Sequence, residues 1–239
     1  MTRLMMAATA AALALCGVAQ ADFFAPGGTN GWDISGATSA MVEGPAGVWT
    51  YSFTGQAAST RQEWNIVATA GDWGSQLYGS NQWGYTDANG DGSLTLDTNV
   101  YADGWSPTTN RISVPGGAGL SWTATGGFLP AIGGGDWDNA SPQGAMTWNG
   151  SYFTMTAVIP DGTYDWKPVV TGSWDSIGNG NSNNVNGDNA QFTTGGGNNI
   201  VTLDVDPSNG TLRATVTPTP GAAAVLGLAG ALGLRRRRN

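Results

Sequence analysis

Apolar and polar residues alternate in short stretches of this chain, and hardly anywhere between its two ends do they recur with a helical period. Trp49, Tyr51 and Phe53 alternate with Thr50 and Ser52, the period of two expected of a half-buried strand. Phe153, Met155 and Ala157 alternate in the same way further on. A slip of one residue would instead turn Tyr152, Thr154 and Thr156 inward, and the pattern leaves both registers open. Between such runs lie turn formers: in "IPDGTY", 159–164, Pro160, Asp161 and Gly162 predict a turn between two strands. Several short strands per roughly hundred residues, parted by turn clusters, predict an all-β chain of immunoglobulin-like sandwiches.

The pattern also recurs as a whole. "FFAPGGTNGWD" at 23–33 returns as "FLPAIGGGDWD" at 128–138, and "EWNIVATAGDW" returns as "DWKPVVTGSW". "SLTLD" at 93–97 returns as "IVTLD" at 200–204, and "TNRISV" at 109–114 as "TLRATV" at 211–216. Four matches in one order, each displaced by about a hundred residues, predict two tandem modules. They run over 22–116 and 120–217, with "PGGAG" at 115–119 as the join.

The ends read differently. Arg3, an apolar run over 4–18 and "AQA" at 19–21 predict a secretory signal peptide over 1–21, cut between Ala21 and Asp22. Cys16 lies inside that run, but Leu15 precedes it where a lipoprotein cleavage wants a small residue. At the far end, 218–239, "PTPG" leads into small apolar residues and then Arg235–Arg238. The run falls short of the ~20 residues of a comfortable membrane span, so it predicts a weak anchor with a cationic stop. This end resembles PEP-CTERM sorting tails, although Thr219 stands where those tails usually carry Glu. That resemblance implies sorting and processing machinery as a partner, and a location at the cell envelope, its outer surface or the extracellular matrix, with release after tail cleavage as an alternative to anchoring.

Composition narrows the chemistry. Residues 22–220 contain no cysteine and no histidine, which removes disulfides and thiol or imidazole catalysis and leaves little for zinc. Seventeen Asp and Glu stand there against Arg61, Arg111, Lys167 and Arg213. Nucleic acid is therefore an unsuitable partner, and a membrane is met only through the tail.

One stretch carries a further resemblance. "IPDGTYDWKPVVTGSW", 159–174, resembles the glycogen- and starch-binding modules of early-set immunoglobulin-like type, as found beside amylases and debranching enzymes and in the β-subunit of the AMP-activated kinase. Gly162, Trp166, Lys167, Gly172 and Trp174 match that pattern. Trp137 in "GDWD" matches upstream, and Asn198, Asn199, Ile200 and Val201 match downstream. The resemblance implies a glycan site of Trp137, Trp174, Lys167 and either Asn198 or Asn199. Physics supports such a set: indoles stack on the C–H faces of sugar rings, while an ammonium and an amide bind the hydroxyls. Trp166, one residue before Lys167 on an alternating strand, belongs in the core. In the first module the corresponding positions are Trp32, Trp73 and Asn65, so the lysine is replaced and a weaker site is expected.

Three other signals stand beside these. "DANGDG", 87–92, is a candidate calcium loop with Asp87, Asn89, Asp91 and Asp97 as ligands; the bidentate Glu of such loops is replaced by Thr98, and a plain turn explains the same residues. Asp136, Asp138, Asp165 and Asp175 lie near the tryptophans, but acids beside Gly and Asn in turns are ordinary, and no cofactor or catalysis is expected. "GNGNSNNVNGDN", 178–189, is polar and of low complexity, and predicts a loop. The chain thus reads as an exported, non-catalytic binder of an α-glucan or similar polysaccharide. The alternative is a structural surface protein whose sandwiches are spacers and whose tryptophans are core or contact surface, with Trp137 and Trp174 buried.

Overall fold

A computed structural model describes residues 23–179, 183–185 and 187–218; the expected signal peptide and all but the first residue of the expected tail lie outside these. The first half holds β1 (Val42–Glu43), β2 (Val48–Phe53), β3 (Arg61–Trp64), β4 (Gln82–Tyr85), β5 (Gly92–Asp97) and β6 (Arg111–Ile112). The second holds β7 (Trp122–Gly126), β8 (Thr147–Trp148), β9 (Phe153–Ile159), β10 (Gly162–Val170), β11 (Asp175–Ile177), β12 (Asn183–Val185), β13 (Ala190–Thr194), β14 (Asn199–Asp206) and β15 (Thr211–Pro218). Helical segments among the described residues are 3-10 turns of three or four residues, so the chain is all-β, as its alternation predicts.

Every strand pairing is antiparallel. The order β1-β2-β5-β6 makes one sheet, with β3 and β4 as a separate ribbon. In the second half β8-β9-β14-β15 makes a sheet. A further sheet forms around β10, which pairs with β13 over Gly162–Trp166, with β7 over Trp166–Val170 and with β11 at Val169. The open register of β9 is settled: Phe153 and Met155 are buried and Ala157 packs on the core, while Thr156 faces solvent.

The repeat extends to individual pairings. Gly27 bridges to Trp64 and Phe24 to Val67; in the second half Gly126 pairs with Trp166 and Thr123 with Val169. Phe24 also bridges to Ala40, as Thr123 does to Ala145. Phe24 therefore corresponds to Thr123, whereas the sequence match set Phe23 beside Phe128. The second repeat is longer here, and its additional residues form a 3-10 turn, Leu129–Ile132, that follows the buried Phe128. In both repeats a glycine lies bare against the central tryptophan. A Cβ on Gly27 would meet the Trp64 ring at 2.3 Å, and one on Gly126 would meet the Asp165 carbonyl at 2.3 Å and the Trp166 Cα at 2.8 Å.

Two cores result, and they do not divide cleanly at the expected join. One gathers Trp64, Ile66, Leu94, Leu96 and their neighbours within the first half. The other is built on Trp122, Trp166 and the inward residues of β9 and β14, yet it includes Trp83 and Val114 from the first half. Trp83 lies 6.1 Å from Trp122, centroid to centroid, and its indole N–H donates to the Ser176 carbonyl at 3.2 Å. The halves are joined further where Arg61 donates twice to the Asp175 carboxylate, at 2.7 and 2.8 Å, and where the Ser106 and Leu212 backbones pair. The stretch expected as a loop at 178–189 contains β12, which pairs with β11 and lies against β4. Short polar residues do not prevent pairing where a neighbouring strand edge offers free backbone groups.

Trp83→Ala removes a fully buried indole from the junction and should lower unfolding free energy by about 3–5 kcal/mol. Urea unfolding measures this directly, and a change below ~1 kcal/mol would contradict a core shared between the repeats.

Candidate functional site

Strand β10 sets the chemistry of its two faces. Trp166 is fully buried in the core, so the next residue, Lys167, must project from the opposite face. Two loops cover that face. After β10 the chain turns at Gly172, whose φ of 79° is a left-handed conformation that glycine adopts freely, and delivers Trp174. From the other side, the stretch after the 3-10 turn delivers Trp137, itself held at φ 52°. A bulky residue seldom takes that conformation, and the strain costs about 1–2 kcal/mol.

Asn139 ties the two loops together: its side-chain amide donates to the Ser173 carbonyl at 3.1 Å, and its own carbonyl accepts from the Gly172 N–H at 2.9 Å. The Lys167 ammonium lies 5.9 Å from the Trp137 ring centroid and 5.7 Å from that of Trp174, within cation–π range of both. Trp174 is 38% exposed and Trp137 is partly exposed, whereas Lys167 is only 6% exposed. Among the described residues the hydrogen-bond partner of the ammonium is the Gly187 carbonyl, at a long 3.3 Å. An ammonium has three donors, and the described residues account for one of them, beside an apolar wall. Burial lowers the pKa of Lys167, and the nearby Asp188 carboxylate opposes the shift.

The other expected residues fare differently. Asn199 is buried at the far end of β10, where its amide donates to Gly197 and Asp161. Asp161 and Lys167 are six positions apart along an extended strand, about 20 Å, so neither Asn199 nor the adjacent exposed Asn198 joins the cluster. In the first repeat Trp32 and Trp73 do come together, 6.5 Å apart, but Asn65 is buried and spent on the Ile66 N–H and on Asn81. The calcium reading gives way to a turn. The Asp87 carboxylate accepts from the backbones of Asn89 and Asp91, Asp91 accepts from Gly55, and Asp97 accepts from Asn99 and Tyr101. Among the described residues no group of three or more His, Cys, Asp or Glu side chains is placed to hold a metal ion.

Sequence reasoning missed Asn139 and Gly187, and it took Asp175 only as a stray acid. Asn139 could have been found by comparing the repeats, since Ile34 stands in its place in the first. Gly187 and the Arg61–Asp175 pair carry no local signal, because they act through contacts distant in sequence.

No family model matches the chain, and no curated protein matches it. Among solved structures it is similar to pullulanase from Bacillus acidopullulyticus, at 19% identity and a TM-score of 0.35. The match covers 51% of this chain and 16% of that one.

Lys167 is the single lysine, so one labelled side-chain resonance reports it alone. Its titration midpoint should lie below the ordinary 10.5. Between that midpoint and 10.5 the unfolded chain binds more protons than the folded one, so stability should rise with pH there. A midpoint at or above 10.5 would mean that the ammonium is not desolvated by its indoles.

Proposed function

We propose that this chain is an exported, non-catalytic carbohydrate-binding protein whose second repeat recognises an α-glucan or a similar polysaccharide at the cell envelope or in the extracellular matrix. The observation that carries this reading is a buried ammonium flanked by two indoles that remain open to solvent. A spacer would be expected to bury Trp137 and Trp174; instead Trp137 adopts a strained backbone at the surface and Trp174 is well exposed. The indoles would stack on sugar rings, and Lys167 would donate to a hydroxyl between them. The Arg61–Asp175 pair and Asn139 hold the walls before any ligand arrives, which lowers the entropy lost on binding. Export and retention at the envelope rest on the N-terminal leader and the PEP-CTERM-like tail, which would be met by sorting machinery.

The test is retention of the exported protein on insoluble starch, glycogen, cellulose, chitin and alginate, beside Trp174→Ala and Lys167→Met. Methionine keeps the apolar stem and removes only the charge. Loss of one hydrogen bond from a charged donor should weaken α-glucan binding roughly 10- to 100-fold. Equal retention of both variants and the parent would refute the site, and no retention on any polymer would leave the spacer reading in its place.

A further inference from the structure

We infer that the first repeat holds a second, lysine-free stacking site for an uncharged sugar chain, and that the protein is therefore a bivalent cross-linker of polysaccharide. The inference rests on the reading of the second repeat as a glycan site. What carries it is the duplication of a scaffold, beyond the presence of two more tryptophans.

Trp32 and Trp73 are 39% and 43% exposed, with ring centroids 6.5 Å apart and planes at 45°. Trp32 has φ 62°, the same left-handed backbone as Trp137 at 52°. Gly71 has φ 80° against 79° for Gly172. The bond that ties the loops is also repeated: Gly71 N–H donates to the Ile34 carbonyl at 2.7 Å, as Gly172 N–H does to the Asn139 carbonyl. Backbone strain at an exposed indole does not serve a core, and the first repeat carries it at the matching place. Trp148 supplies the contrast. It is equally exposed, but it packs on Phe153, and among the described residues no second indole stacks beside it.

Charge decides the occupant. Asn65 stands at the position that corresponds to the lysine and is turned into the fold, and among the described residues no cation lies over Trp32 or Trp73. Asp33 and Asp72 adjoin the two indoles, so a uronate or sulfated sugar would be repelled. The hydrogen bonds that Asp33 accepts within its own loop keep it charged, so a basic peptide is the competing occupant that the test separates from sugar. Asp33 accepts from the backbone and hydroxyl of both Ser35 and Thr38, and Asp72 caps the Gly74 N–H. Two exposed indoles with no cation over them suit the C–H face of a neutral pyranose. The shared core holds the two platforms on one body, so one chain can grip two strands or two points of one strand.

The test is calorimetric titration of the exported protein with maltoheptaose, with turbidity of soluble glycogen as a second readout. The expected result is two sites. Trp73→Ala should leave one site, of undiminished affinity. Lys167→Met combined with Trp174→Ala should leave the other, weaker by roughly tenfold for want of a charged donor. Trp32→Gly, which relieves the left-handed strain, should act as Trp73→Ala does. Only the parent should cloud glycogen. A single site, lost in the Lys167 and Trp174 variant and untouched by Trp73→Ala, would overturn the second platform while leaving the first reading intact. Absence of binding in the parent would overturn both. Oligolysine binding that Trp73→Ala abolishes would overturn the sugar in favour of a basic partner.

Discussion

Trp166 must be buried, and much of the molecule follows from that. Gly126 lies bare against its backbone, β7 and β13 pair beside it, and the indole fills the centre of the second core. Once its direction is set, alternation sends Lys167 to the other face, where two loops close over an ammonium that would otherwise be well solvated. Trp64 plays the same part in the first repeat against Gly27, with Asn65 in the next position. The two repeats share a frame, and at the position after the central tryptophan one has a lysine that faces the indoles and the other an asparagine turned into the fold.

The site is not a property of the second repeat alone. Asp175 follows Trp174 directly, and its carboxylate is held by Arg61 of the first repeat, while Trp83 reaches the next residue, Ser176. Strand β12 continues from there toward Gly187, whose carbonyl meets Lys167. The segment carrying one wall of the site and the segment carrying the acceptor for its ammonium are thus both braced from the other half. A buried carboxylate that lost its guanidinium would be left uncompensated, which costs about 3–5 kcal/mol. Rigidity of the segment carrying Trp174 is therefore coupled to the integrity of the junction.

The alternation in β2 and the opposite directions of Trp166 and Lys167 were legible in the sequence, because each depends on local period; in β9 the alternation was legible but its register was not. The meeting of Trp137 with Lys167 and Trp174 was legible only through a resemblance, since those loops are brought together by pairings distant in the chain. Asn199 misled because its neighbours fit a pattern, while its own amide is consumed by Asp161 and Gly197 at the other end of β10. "DANGDG" misled because the oxygens that would bind calcium are the same ones that cap a turn. The alignment of Phe23 with Phe128 failed where the second repeat is longer, since Phe23 precedes the isolated bridges of Phe24 in one half whereas Phe128 caps a 3-10 turn in the other. Trp83 is the clearest loss: nothing in its surroundings announces that it belongs to the core of the other repeat.

The eleven tryptophans give eleven indole N–H resonances, and these separate surface from core in one spectrum. Titrating the labelled protein with maltoheptaose, the account predicts that Trp137 and Trp174 move, while buried Trp64, Trp83, Trp122 and Trp166 and the solitary exposed Trp148 stay in place. Saturating ligand with Trp137 and Trp174 unmoved would contradict it.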